Sequence, residues 1–410
     1  MELVLATHKL GDTGGAPTYV LTVAEHLARL GHSVTLYARE LGLMAELARE
    51  WALAVTATPE DLPARADGVI TGVHRGLALE LASRYPDATR LFVAHSSEDV
   101  HLPPPVPGAV AATVVLNDLH AARAAACTCT GEVVRLRQPV DLRRFSPRGD
   151  PRKRPERILL LGNYHSGHAE RAGMLREAWA DADLQWREVG GETQTLDVAA
   201  AIAEADVVVG YGRSVLEAMA CGRPAYIHDQ AGSEGWITPQ SYARMEAGGF
   251  AVAAARLPPD MQELRADLAA YRPEWGLAGR DIARTHHDVR DHAAALVALL
   301  ERLGPGRPCA EPSALRAMAQ LAESQLRAEL MAEHYRVESK QWFTLYHGAQ
   351  EEMARERGAW HAQRVELENE RARSVSAAAQ AEERLAAFRR TRRYRLARAL
   401  ASPTDWLRRR

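Results

Sequence analysis

The 410-residue sequence predicts an α/β protein with two Rossmann-like lobes, a cleft between them and a long helical extension. Three observations lead to this prediction. Short apolar segments alternate with amphipathic ones over residues 1–140, the same alternation restarts at Arg157, and the composition changes near Glu311. Alternation of this kind is typical of parallel sheets covered by helices on both faces. A chain of this length is expected to form two or three domains.

The first lobe is predicted over residues 1–140. A helix is expected over 17–30, because its apolar residues recur at helical spacing and Gly31 follows in the usual terminating position. Two further helices are expected over 76–83 and 119–126. Strands are expected at 2–6, 33–37, 68–71, 90–94, 112–116 and 133–136.

Residues 141–156 are rich in proline and charge, and they predict a linker between lobes. The second lobe is predicted over 157–305, with helices at 169–180 and 261–270. Its strands are expected at 157–161, 184–189, 207–209, 225–227 and 250–253. Two successive α/β lobes of similar size indicate an enzyme with a cleft between them.

Residues 311–387 are rich in Ala, Glu, Arg and Gln, and they predict a long helical segment interrupted at Gly348 and Gly358. Two interpretations are open. The segment forms a coiled coil, which would make the protein a homo-oligomer, or its helices pack back on the lobes.

Residues 388–410 form a basic amphipathic tail in which nine arginines and one acid are interleaved with aromatic and aliphatic residues. Either this tail rests on an anionic membrane or it is a solvated helix end or a disordered tail. The expected location is the cytoplasm, with the inner face of the cell membrane as the site of any membrane contact.

Composition excludes several classes of protein. A formal net charge of −2 argues against nucleic acid as the main partner. The four cysteines, Cys127, Cys129, Cys221 and Cys309, lack the spacing of a zinc ribbon and are expected to be free thiols in a reducing cytoplasm. The sequence starts directly with a strand-like run, so no leader is predicted. No run approaches the roughly 18–20 apolar residues that span a bilayer.

The most specific motif lies in residues 204–228. An apolar strand at 207–209 leads through a glycine-flanked turn into a short helix that carries Glu217 among small and apolar residues. A helix that starts with small residues at the C-terminal end of a strand is where α/β sheets bind phosphate-bearing ligands. Diphosphate-binding groups are therefore expected at Gly210, Gly212, Arg213 and Ser214.

This motif resembles the donor-nucleotide motif of retaining GT-B glycosyltransferases of the group 1, or family 4, type, and the resemblance covers roughly residues 1–305. It implies a nucleotide-sugar donor in the second lobe, an unidentified acceptor in the first, and transfer with retention without a bound metal or cofactor. Glu217 matches the second of two family glutamates, which holds ribose hydroxyls. The first glutamate, which contacts the donor sugar, is replaced by Val209. Asp229 or Glu234 would be the substitute carboxylate.

Two motifs of the first lobe fit the same resemblance. Gly14 and Gly15 lie in the first strand-to-helix loop, where the family has a paired glycine facing the cleft. Only glycine lets the backbone approach a sugar or phosphate closely. His95 follows a strand, at a position where the family has a histidine near the transferred sugar, so we treat it with Glu217 as a candidate catalytic residue.

Two further segments complete the resemblance. The stretch Gln138 to Pro147 is similar to the interlobe signature of the family, where Phe145 and the prolines are expected to set the hinge. In the loop that begins at Gly162, the family carries Arg and then Lys, which neutralise the donor diphosphate. Here Asn163 stands at the Arg position. His168 falls near the Lys position, and Arg171 is the alternative cation.

These motifs favour glycosyl transfer from a nucleotide sugar to a glycan, lipid or small-molecule acceptor. The replaced Arg, Lys and first Glu positions support a second hypothesis. In it, the protein is a non-catalytic homologue that binds a sugar nucleotide or glycan and recruits partners through its helical tail. A dinucleotide oxidoreductase is disfavoured, because the first loop lacks a full Gly-x-Gly-x-x-Gly array.

Overall fold

The computed structural model describes residues 1–11, 13–72, 74–95, 102–162, 169–229, 231–253, 260–392 and 395. The chain divides into two units, Met1–Leu326 and Arg327–Arg410. Both predicted lobes lie in the first unit. The predicted domain boundaries themselves stay predictions.

The first lobe is built on a seven-stranded parallel sheet in the order β3-β2-β1-β4-β5-β6-β7. Its strands are β1 Glu2–Leu10, β2 Ser33–Leu41, β3 Ala54–Thr56, β4 Gly68–Gly72, β5 Thr89–Ala94, β6 Ala112–Val115 and β7 Glu132–Arg135. Its helices are α1 Gly15–Arg29, α2 Leu43–Glu50, α3 Arg75–Arg84 and α4 Asp118–Ala125. The strand order reverses between β1 and β4, as in doubly wound folds.

The second lobe has a five-stranded sheet in the order β12-β11-β10-β8-β9, in which only β12 is antiparallel. Its strands are β8 Arg157–Leu161, β9 Gln185–Val189, β10 Val207–Gly210, β11 Ala225–Asp229 and β12 Gly232–Trp236. The helices that follow β8 are α5 Ala169–Ala178, α6 Val198–Glu204, α7 Arg213–Ala220, α8 Tyr242–Ala247, α9 Met261–Ala269, α10 Glu274–His286 and α11 Val289–Leu303. The predicted α/β fold with two Rossmann-like lobes is confirmed.

Two predictions in the second lobe are wrong. Residues 250–253 do not form a strand, because Phe250 has a φ of 58°, in the left-handed region, and closes the turn after α8. Its N–H donates to the Met245 carbonyl. The stretch Gly232–Trp236, where no strand is predicted, is the edge strand β12. Its two glycines, Gly232 and Gly235, concealed the strand pattern.

Helix α11 connects the end of the second lobe to the first. Val289, Leu296 and Leu300 are buried in the same apolar cluster as β1 and α1. By packing, this helix belongs to the first lobe, although its sequence lies within the range 157–305 predicted for the second. Between β7 and β8 the described chain forms no helix or strand, and Val140 pairs there with Asp288 in an isolated bridge.

Helix α12, Pro312–Arg390, contains 79 residues and runs through Gly348 and Gly358 without a break. Within the first unit its initial turns bury Leu315, Ala319 and Leu326. From Glu351 to Arg390 every residue is exposed. Among the described residues, none of the helices combines the length and apolar content needed to cross a membrane.

Close packing of α10 against the end of α7 predicts a specific sensitivity to substitution. A Cβ atom at Gly276 would lie 2.1 Å from the Gly222 carbonyl oxygen, so Gly276→Ala must displace backbone. We expect a loss of about 1–3 kcal/mol in the free energy of unfolding, measured by urea denaturation. Gly173→Ala in α5 is the matched control, because its Cβ meets open space. It should leave stability unchanged or raise it by up to about 1 kcal/mol. Equal effects of the two substitutions would contradict the packing argument.

Candidate active site

A cavity of about 230 Å³ lies between the two lobes and is lined by residues of both. The first lobe contributes the loop at Gly14 and Gly15 together with α1 and α2. The second contributes Gly162, the loop after β9 and the first turn of α7. Because the C-terminal ends of parallel strands bind ligands in α/β folds, this cavity is the candidate site.

A buried ion pair forms one wall of the cavity. The Arg213 Nε atom donates to Glu217 Oε1 at 2.8 Å, one helical turn apart, and each side chain is less than a tenth exposed. The Arg213 Nη1 atom also donates to the Pro139 carbonyl at 3.1 Å, and Nη2 lies 3.5 Å from Thr22 Oγ1. Burial raises the pKa of Glu217, and the Arg213 charge opposes that shift. The pair therefore links α7 to the interlobe segment and to α1.

The first turn of α7 has the backbone geometry that a glycine-rich start requires. Gly212 has a φ of 57° and donates its N–H to the Phe250 carbonyl at 2.8 Å. A Cβ at Gly210 would lie 2.7 Å from the Leu161 carbonyl oxygen, so β10 and β8 leave no room for a side chain there. Arg213 and Ser214 line the cavity, whereas Gly210 and Gly212 shape the turn behind it.

The backbone conformation requires glycine in one of the other two loops and not in the other. Gly162 has a φ of 152°, which favours glycine. Gly14 is extended, at a φ of −175°, and a Cβ at Gly15 would meet nothing within 4 Å. All three line the cavity. At Gly14 and Gly15 the backbone conformation does not require glycine. A side chain at either position would lie at the edge of the cavity.

The remaining predicted site residues are His95, Asn163, His168 and Arg171. His95 follows β5, and its ring lies against that of Tyr19 with centroids 4.7 Å apart. Among the described residues it is not part of the cavity wall. Asn163 and His168 lie outside the described residues. Arg171 belongs to α5, and its side chain is likewise outside the described part.

Neither of the two predicted substitutes for the missing carboxylate, Asp229 and Glu234, reaches the cavity. Val209 is fully buried in β10, where it pairs with Leu160 and Tyr226. Asp229 accepts from the N–H groups of Ala231 and Val252, and Glu234 pairs with Arg244. The cavity wall contains neither Asp229 nor Glu234.

Sequence reasoning missed an aromatic and cationic part of the wall. The Arg144 guanidinium stacks 3.3 Å above the Trp51 ring, and its Nη2 donates to Glu25 Oε2 at 2.6 Å. The sequence predicts only a linker and hinge role for residues 141–145, yet Asp141, Arg144 and Phe145 line the cavity. The signal available in the sequence was the charge of this segment, but its partners lie about a hundred residues away.

Two buried histidines hold the backbone of the interlobe segment. His287 Nδ1 donates to the Gln138 carbonyl at 2.7 Å, and His292 Nδ1 donates to the Arg137 carbonyl at 3.0 Å. Each Nε2 then accepts from a tyrosine hydroxyl, that of Tyr242 at 2.9 Å or Tyr19 at 2.7 Å. Burial lowers the pKa of both imidazoles to about 4. Both are therefore neutral at pH 7.

One group of three metal-ligand side chains occurs among the described residues, comprising Glu25, His26 and Asp141 within 4.8 Å of one another. Glu25 already pairs with Arg29 and Arg144, and Arg144 lies 3.6 Å from Asp141. Since guanidinium groups supply the positive charge here, we assign no metal to this group.

Two Rossmann-like lobes around an interlobe cavity define the GT-B fold. Solved glycosyltransferases share it with this chain. One from Rickettsia africae ESF-5 is 13% identical, with a TM-score of 0.50, and the match covers 74% of this chain and 98% of the other. HepE from Anabaena, solved in complex with UDP and glucose, is 12% identical, with a TM-score of 0.51 and coverage of 73% and 99%. These similarities establish the fold. No protein-family model and no curated protein matches the sequence.

The two buried histidines predict a dependence of stability on pH. Their pKa values in the folded state are below the unfolded value of about 6.5, so the unfolded chain binds more protons as the pH falls. Stability should be fully present above pH 6.5 and should fall from there towards pH 4. The slope is about 1.4 kcal/mol per pH unit for each histidine. Urea denaturation across this range measures it.

Variants separate these histidines from other acid-sensitive groups. His292→Gln should reduce the slope by about one histidine's share. His361→Gln, at an exposed position of α12, should leave it unchanged. An unaltered slope in His292→Gln would show that this imidazole titrates normally in the folded protein.

Proposed function

We propose that the protein transfers a glycosyl group from a nucleotide-sugar donor to the hydroxyl of a glycan, lipid or small-molecule acceptor. The observation that carries this proposal is the interlobe cavity of a GT-B fold, in which the first turn of α7, Glu217 and three loop glycines converge. The second lobe would hold the nucleotide, and the first the acceptor. Retention of configuration and a metal-free reaction are parts of the proposal that rest on the motif resemblance.

Leaving-group stabilisation is the main chemical requirement, because the charge that develops is on a phosphate oxygen. Arg213 supplies a fixed positive charge in the cavity wall. The N-terminus of α7 adds backbone N–H groups and a helix dipole. In this proposal the diphosphate lies against Arg213 and Ser214, and Glu217 accepts hydrogen bonds from ribose hydroxyls.

Exclusion of water is the second requirement, because water would otherwise hydrolyse the donor. Apolar side chains of α1 and α2, including Leu21, Met44 and Leu47, line the first-lobe wall of the cavity. Closure of the lobes over a bound donor would place these side chains around the sugar and displace solvent.

A second function is favoured by the buried Val209 and by the engagement of Asp229 and Glu234 outside the cavity. Without the carboxylate that Val209 replaces, the protein would bind a sugar nucleotide or glycan without turnover and recruit partners through its helical tail. Both functions require a nucleotide site in the same cavity, and they differ in turnover.

A panel of nucleoside diphosphates and nucleotide sugars tests both functions. We expect at least one to raise the melting temperature, because a ligand that binds only the folded state stabilises it. Release of nucleoside diphosphate with an acceptor present would support transfer. Tight binding without release, over all donors and acceptors tried, would support the binding protein. Failure of every nucleotide to bind would reject both.

Glu217→Gln tests the role of the buried acid. The amide keeps an oxygen for Arg213 but removes the charge that would bind ribose hydroxyls. We expect donor affinity to fall about tenfold, or 1.4 kcal/mol, measured by calorimetry. The matched control is Glu177→Gln, at an exposed position of α5, which should bind as the native chain does. Equal affinities of the two variants would remove Glu217 from the binding site.

The basic tail adds a proposal about location. Its nine arginines would attract anionic lipid headgroups, and its interleaved aromatic residues would enter the interface. The intact chain should float with anionic vesicles, and a chain ending at Glu383 should float much less. Equal flotation of the two would refute membrane contact through the tail.

A further inference from the structure

A line of large apolar side chains runs along the exposed part of α12. Tyr346, Met353, Trp360 and Leu367 follow one another at intervals of seven residues, and Phe388 continues the same line three intervals later. These five side chains, here called the stripe, are 47–63% exposed. Exposed aromatic and aliphatic groups in such a row mark a contact surface rather than a solvated face.

The seven-residue interval identifies the shape of the partner. On a helix with about 3.6 residues per turn, seven residues fall about 20° short of two turns. A second helix that wraps with a left-handed supercoil stays on such a line, whereas a globular surface does not follow it. The stripe therefore fits another long helix.

The residues that flank the stripe differ in charge on its two sides. Positions three after each stripe residue lie about 60° to one side, and positions four after it lie about 40° to the other. From Met353 onward the first flank contains Glu356 and Glu370. The second flank contains Arg357, Arg364 and Arg371.

The positions of these flanks favour one relative orientation of two paired helices. In a parallel pair related by a two-fold axis along the helices, the first flank of one helix faces the second flank of the other. The acidic flank of each copy would then face the arginine flank of its partner. An antiparallel pair would instead bring like flanks together, which is unfavourable.

We propose that α12 forms a parallel, in-register coiled coil with a second copy of this chain, through the stripe over residues 346–388. The partner is a second copy because, in a parallel pair, the stripe meets the same stripe and each acidic flank meets an arginine flank. The contact makes the protein a dimer whose two α/β units are joined by their helices. This inference is independent of the proposed activity.

The mass of the full-length chain in solution is the first test. Light scattering coupled to gel filtration should give twice the chain mass. A triple variant of the stripe, Met353→Glu, Trp360→Glu and Leu367→Glu, should give the mass of one chain, because three buried pairs of carboxylates would repel. The matched control is Leu345→Glu, Val365→Glu and Val375→Glu, which changes exposed apolar residues off the stripe and should remain dimeric.

Cysteine cross-linking tests the orientation and the register. Ser374 lies on the line of the stripe, and Ser376 lies on the opposite side of the helix. In a parallel, in-register pair, Ser374→Cys places two thiols side by side, so mild oxidation should give a disulfide-linked dimer on a non-reducing gel. Ser376→Cys should give only the background of the native chain, whose four cysteines are the same in all samples.

Several results would overturn the proposal. A full-length chain with the mass of one copy would mean that another partner covers the stripe. Equal loss of association in the two triple variants would show that general apolar contact, not the stripe, holds the copies together. A dimer in which Ser374→Cys and Ser376→Cys cross-link equally would exclude parallel pairing in register.

Discussion

The arrangement of the two lobes depends on the buried guanidinium of Arg213. It pairs with Glu217 within α7, donates to the Pro139 carbonyl and approaches Thr22 of α1. Removal of one member of a buried ion pair leaves an uncompensated charge, which typically costs about 3–5 kcal/mol. The pair therefore fixes the start of α7 relative to the interlobe segment. The charge that holds the lobes together is also the positive charge that the proposed chemistry requires.

Two neutral histidines also hold the interlobe segment. His287 and His292 donate to consecutive carbonyls, those of Gln138 and Arg137, and both come from the region where the chain returns to the first lobe. Helix α11 then packs into the apolar core of that lobe. The interlobe segment is thus held by side chains that precede and begin α11, so its backbone is fixed despite the lack of regular secondary structure.

The charged groups of the cavity differ from those of the donor-nucleotide motif that residues 204–228 resemble. The motif retains the small helix start and one acid, whereas a buried valine stands in place of the other acid. Arg213 lines the cavity together with apolar side chains of the first lobe, including Leu21, Met44 and Leu47, and Arg144 stacks on Trp51. A low-dielectric wall strengthens the electrostatic effect of the few charges that face it. Binding of an anionic ligand is consistent with this distribution whether or not turnover follows.

Local pattern in the sequence predicted much of the fold. The strand at Arg157–Leu161 and the helix at Gly15–Arg29 are visible because the alternation of apolar residues is set by backbone geometry over a few residues. Gly212 and Glu217 could also be recognised from the sequence, because both belong to one short motif that contains the start of α7. The strand predicted at 250–253 is absent, because the positive φ of Phe250 has no local signature in the sequence.

The sequence by itself determined the two α/β lobes, the long helix and the residues of the helix start at Gly212. Only the tertiary structure decided which groups those residues meet. Arg213 is 74 positions from Pro139 and 191 from Thr22, and Trp51 of the first lobe meets Arg144 of the interlobe segment. Contacts of this kind depend on how whole layers pack, and packing joins residues whose separation along the chain carries no periodic signal.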